Sequence, residues 1–122
     1  MILLCGCASK NSSEDPTIEI VYAKFHQIEK KNEIYIYKFS TKKYNGIVAI
    51  PNFCEENAKG FQRIQLGKSY KLKLHKEIYY GKIEMETDSE VVNGIQVWNN
   101  TMDARYFTYA DSLCGFYYKS EN

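Results

Sequence analysis

No stretch of this chain approaches the roughly 20 consecutive apolar residues that a bilayer-spanning helix needs, so no transmembrane helix is expected after the N-terminus. An excess of one charge is also lacking. Sixteen Lys plus Arg meet 15 Asp plus Glu, for a formal net charge of +1, so the molecule as a whole is no polycation and a nucleic-acid partner is not expected. Histidine is scarce: His26 and His75 are the only two, and neither stands in H-x-x-x-H or H-E-x-x-H spacing. A G-x-S-x-G nucleophile elbow, a G-x-x-x-x-G-K-[ST] phosphate loop and a dinucleotide G-x-G-x-x-G are all missing. Leu66-Gly67-Lys68-Ser69 contains Gly-Lys-Ser, but the preceding glycine is wrongly spaced and a strand follows, so it reads as a turn. No metal site and no cofactor is expected. Internal repeats and low-complexity blocks are absent as well.

What is present suits one domain. The 122 residues are 44% apolar and 15% aromatic, enough for a single core and against wholesale disorder. Strand signals dominate from residue 17. Ile18, Ile20 and Tyr22 share one face of the first segment, while Val21, Ala23 and Phe25 share the other, a change of phase that calls for a bulge or bend. Ile34-Tyr35-Ile36-Tyr37-Lys38-Phe39 and Ile47-Val48-Ala49-Ile50 follow as strands. Asn52, Glu55 and Gly60 supply cap, capping-box partner and terminator for one short helix near 52–59. Tyr70 to His75 alternates cleanly, with Tyr70, Leu72 and Leu74 facing in and Lys71, Lys73 and His75 facing water. Ile83 and Met85 mark another strand. Asn93-Gly94, between Val91-Val92 and Ile95 to Trp98, reads as a two-residue hairpin turn. Arg105 to Tyr109 and Phe116 to Tyr118 complete the strands.

The expected class is all-β. Three strands, a short helix and two more strands resemble a small antiparallel OB-like barrel with extra C-terminal strands; a two-sheet β-sandwich is the runner-up. The OB-like resemblance is to a fold and carries no motif.

The opening Leu4-Cys5-Gly6-Cys7, followed by a polar run to Pro16, resembles a bacterial lipoprotein signal. That resemblance implies acylation of Cys7 with diacylglycerol. It divides the chain into a truncated signal at 1–7, a flexible tether at 8–16 and a single β domain at 17–122. The rest of the signal, with its basic residue and longer apolar core, would precede Met1. Ala8 after the cysteine points to lipid anchoring in the cell envelope at an outer membrane. Outside the cytoplasm Cys54 and Cys114 are expected to form a disulfide, closing a loop of about 60 residues worth about 4 kcal/mol. The competing reading makes Cys54 a reactive thiol at a helix start.

Charge is unevenly spread. Residues 24–82 carry 13 basic and five acidic side chains, against two basic and seven acidic over 83–122. Either a basic binding face exists, or acidic strands pair with basic ones across the sheet. Eleven Tyr, six Phe and one Trp make aromatics the leading functional candidates. Tyr35, Tyr37 and Phe39 line one face of their strand and could stack a ligand; as a two-sided core strand they would instead be buried. The expected function is a membrane-tethered, non-enzymatic binding or accessory module for a protein or glycan partner. A toxin-inhibiting immunity-type lipoprotein is one alternative. The other is a small hydrolase, for which His26, His75, Asp103, Arg105 and Asp111 are the best parts.

Overall fold

The structure is a computed structural model that describes residues 17–51, 60–76 and 89–120. All its elements are strands: β1 Ile18–Lys31, β2 Ile34–Ser40, β3 Asn45–Pro51, β4 Gln62–Arg63, β5 Ser69–His75, β6 Ser89–Val92, β7 Ile95–Asn99, β8 Arg105–Phe107, β9 Tyr109–Ala110, β10 Leu113–Cys114 and β11 Tyr117–Tyr118. The short helix expected at 52–59, the strand around Ile83 and Met85, and Cys54 lie outside the described residues. So do the expected signal and tether at 1–16.

Why the sheet curls is written in β1. Its N-terminal half, Ile18 to Lys24, pairs antiparallel with β5, whereas Lys24 to Lys31 pairs with β2, with a bulge between Phe25 and Gln27. A bulge adds one residue to one strand, bends it and increases its twist. The expected bend therefore falls at the end of the apolar run, not within it: Ile18, Ile20 and Tyr22 and, opposite them, Val21, Ala23 and Phe25 are the two faces of one regular stretch. β1 also runs six residues beyond Phe25, because Asn32 and Glu33 take positive φ angles of 49° and 67° and turn the chain directly into β2.

From there β2 pairs with β3, and β3 pairs in parallel with β8. At the far edge β9 pairs antiparallel with β5. The order β8-β3-β2-β1-β5-β9 therefore ends on two strands separated only by Thr108, whose N–H and hydroxyl both donate to the His75 carbonyl. One C-terminal run thus borders both sides of a strongly curled sheet. This is the all-β, barrel-like arrangement the sequence suggests.

The interior is aromatic. Ala23, Phe25, Tyr35, Tyr37, Phe39, Val48, Tyr70, Leu72, Leu74 and Phe107 form one buried cluster. Phe25 is its hub: its ring lies 5.9 Å from Tyr37, 6.1 Å from Phe39 and 5.9 Å from Tyr70. The small sheet β10-β11-β4 brings Ile64 and Leu113 into that cluster and packs Phe116 and Tyr118 against it. Its attachment is polar as well. The Tyr37 hydroxyl donates to the Gly115 carbonyl at 2.7 Å, the Tyr118 hydroxyl to the Lys71 carbonyl at 2.7 Å, and the Ile64 N–H to the Phe116 carbonyl. Buried phenols find partners in this way because an unmade hydrogen bond costs about 1–3 kcal/mol.

Outside the β2–β3 wall lies a second layer. Ile34, Ile36, Ile47 and Ala49 are buried with Val97, and Val92, Ile95, Trp98, Ala104 and Tyr106 pack against them. The covering element is the β6–β7 hairpin, whose turn residues Asn93 and Gly94 have φ angles of 52° and 80°, as the two-residue turn requires. Reciprocal bonds fasten its tip to the β1–β2 turn: the Asn32 amide donates to the Asn93 carbonyl and the Asn93 amide to the Asn32 carbonyl. β2 is consequently covered on both faces, which is why its sequence alternates two apolar types instead of apolar and polar.

Candidate functional site

The burial of β2 corrects the expectation for Tyr35, Tyr37 and Phe39. They are 3%, 1% and 1% exposed and fill the barrel interior. No ligand-stacking row is formed by these three rings; they are core, as the two-sided alternative allows. Cys114 is likewise buried in β10. Cys7 and Cys54 lie outside the described residues.

Of the residues suggested for acid–base chemistry, the structure brings one pair together. His75 Nε2 lies 3.1 Å from Asp111 Oδ1, and Lys73 Nζ stands 4.0 Å from the other carboxylate oxygen. The Tyr109 ring meets the His75 ring edge to face, 5.5 Å between centroids. Burial and then the Asp111 charge raise the Tyr109 phenol above its ordinary range. His26 stands apart, exposed at the bulge, with Nε2 2.8 Å from Ser40 Oγ. Asp103 contributes its carbonyl to the Asn45 amide. Sequence spacing could not show the His75–Asp111 pair, because 36 residues separate its members and only the β5–β9 register joins them.

Arg105 belongs to a different network, at the barrel end where β1 starts. Its guanidinium lies 4.5 Å from the centre of the Tyr44 ring, and the Tyr44 hydroxyl donates to Glu19 Oε2 at 2.7 Å. Glu19 also meets Lys76 at 3.5 Å. Burial foremost, then the hydrogen bond to Glu19 and its charge, push the Tyr44 phenol far above its ordinary value, against the pull of Arg105. The unfolded chain therefore gives up its tyrosine protons before the native one does. Stability is fully present below about pH 10, the ordinary tyrosine value, and falls as pH climbs above it. Tyr44→Phe is expected to flatten that decline, read as the slope of urea midpoint against pH between about 9.5 and 11.

The open outer surface lies on β1 and β5. Pairing of Ile18 with His75, Ile20 with Lys73, Tyr22 with Lys71 and Lys24 with Ser69 puts all eight on one face. Ile20 and Tyr22 are 57% and 67% exposed, while their inward neighbours Ala23 and Phe25 are fully buried. Lys73 and His75 share Asp111 at the border with β9. Among the described residues no carboxylate pairs with Lys24 or Lys71. The phase change already placed Ile20 and Tyr22 on a common side, and the alternation of β5 sent its lysines outward. Only the register sets the two rows beside each other. This answers the charge asymmetry in part: Asp111 pairs with basic residues of β5, yet a lysine-rich face remains.

The hairpin side differs. Trp98 and Tyr106 stand with ring centroids 6.1 Å apart, the Trp98 indole N–H donates to the Ala104 carbonyl, and Val91 and Met102 are exposed. The barrel thus has one outer wall covered by its own hairpin and one left open with Ile20, Tyr22 and three lysines. Compared with protein-family models, curated proteins and solved structures, the chain matches none.

Proposed function

We propose that the chain is a non-enzymatic binding or accessory module, anchored by lipid at Cys7 in a bacterial cell envelope and holding a protein partner in preference to a glycan. One observation carries the binding part. OB-like barrels lay bases and sugars along the outer wall of their second and third strands. Here that wall is filled by the chain's own Ile95, Val97 and Trp98. In its place the hairpin and the chain after it offer a surface with Val91 and Met102 exposed and Trp98 and Tyr106 half-buried, of a kind that suits a protein. The anchoring part is supported by Leu4-Cys5-Gly6-Cys7 and the polar residues after it. In that compartment Cys54 and Cys114 pair in our reading, pinning the C-terminal strands to the segment after β3.

A photo-crosslinking residue placed at Val91 or Met102 is expected to trap a second polypeptide in the producing cells, whereas one at Lys42, in the β2–β3 turn, does not. Turnover of a generic ester, glycoside or phosphodiester by the purified chain, lost in Asp111→Asn, would contradict the proposal and favour the hydrolase that the His75–Asp111 contact allows.

A further inference from the structure

We infer that the outer face of β1 and β5 is a seat for an anionic lipid surface. Its composition is that of an interfacial element. Tyr22 and Ile20 are exposed as neighbours two residues apart on one strand, and Lys24, Lys71 and Lys73 surround them. Aromatic and aliphatic side chains enter the headgroup boundary, while lysine stems run along apolar surface and place their ammonium groups among phosphates. Each lysine near such a surface contributes about 1 kcal/mol. Among the described residues the carboxylate bordering the face is Asp111, and it is already held by Lys73 and His75, so it does not oppose a phosphate-rich layer.

The position of the face agrees. β1 begins at Ile18, itself on this face, and the carbonyl of Thr17 just before it accepts the N–H of Lys76 beside the end of β5. The chain that leads to Cys7 therefore departs from the edge of this face. Residues 8–17 span at most about 35 Å when extended, so an acylated Cys7 holds the face within reach of the bilayer that anchors it. That geometric argument rests on the proposed anchor. The arrangement of rings and lysines does not. With the β1–β5 face on the membrane, the hairpin-covered wall of β2 and β3 is the one left for a partner.

The test uses the full chain made in a cell-free system without membranes, so that no acyl chain is attached and only the face is read. Co-sedimentation is measured with vesicles of phosphatidylcholine containing roughly one-third phosphatidylglycerol, and with pure phosphatidylcholine. Binding is expected to the anionic vesicles alone, and to fade as salt screens the lysines. Lys71→Glu with Lys73→Glu is expected to weaken it at least about tenfold, and Tyr22→Ser to weaken it at constant salt dependence. Lys42→Glu leaves it unchanged. Tyr22, Lys42 and Lys71 are exposed and Lys73 is half-buried, and an unchanged urea midpoint verifies the fold of each variant. Equal binding by the double variant, or none by the parent chain, overturns the inference. So does binding of soluble poly-glutamate, and not vesicles, with the same dependence on Lys71 and Lys73, which would assign the face to an acidic polypeptide. Failure of the anchor is separate: it shows as absence of acylation in cells and leaves the vesicle result intact.

Discussion

Phe25→Ala is expected to lower the free energy of unfolding by about 3–5 kcal/mol, a large part of the roughly 5–15 kcal/mol available to a domain of this size. The residue is fully buried, and its ring meets Tyr37 and Phe39 of β2 and Tyr70 of β5. It also sits at the bulge where β1 passes from β5 to β2. Neighbouring rings cannot collapse into the vacancy without breaking bonds such as that from Tyr37 to Gly115, so the cavity persists. A urea titration reads the loss as a lower midpoint at similar slope. Ile20→Ala, on the same strand but facing out, is expected to stay within about 0.5 kcal/mol.

Gly46→Ala is the second large effect, and its cause is opposite. A methyl group at Gly46 would overlap the ring of Phe39, well inside van der Waals contact. Overfilling a packed core typically costs about 1–3 kcal/mol and sometimes more. Phe39 has little room to yield, since it is 1% exposed and its ring lies 6.1 Å from Phe25 and 6.3 Å from Phe107. Gly46 also pairs with Phe39 on one side and Arg105 on the other, so the backbone is held in the sheet from both sides. The cost is steric, and Phe39→Leu should therefore relieve it. In a double-mutant cycle Gly46→Ala is expected to cost less in the Phe39→Leu background than in the parent chain. Equal costs in both backgrounds would show that the ring is not the obstacle.

Local signals carried much of this fold. The alternation of Tyr70 to His75 and the Asn93-Gly94 turn each name a backbone event that depends on neighbouring residues alone, and a bend in the first strand was expected though not its place after Phe25. The two-faced apolar pattern of β2 signalled a second layer without naming it. That layer came from a hairpin about 60 residues further on, held by Asn32 and Asn93. Contacts of this range were not legible. The two-residue strand β4 has no periodicity to read, and β10 lies where the turn around Asp111 and Ser112 was the stronger signal. Thr108 divides a run of aromatic residues between two sheet edges because of where β3 and β5 stand, not because of its own preference. The same holds for function. Aromatics were singled out as abundant, but Tyr35, Tyr37 and Phe39 are core, and among the described residues the exposed ring is Tyr22. Its setting among lysines depends on the register between β1 and β5.

Burial also accounts for how the two outer walls divide their work. A hairpin that covers Ile34, Ile36, Ile47 and Ala49 removes from water an apolar row that would otherwise invite nonspecific association. Among the described residues no such cover lies on Ile20 and Tyr22. In the proposed arrangement the membrane supplies it, and a lipid anchor makes that contact effectively intramolecular.

That anchor is the central claim. The direct measurement is growth of the producing bacterium with a labelled fatty acid, followed by isolation of the full-length product and its Cys7→Ala variant. The account predicts label on the parent protein in the membrane fraction, with both label and membrane association lost in the variant. An unlabelled parent whose fractionation is unchanged by Cys7→Ala would contradict it.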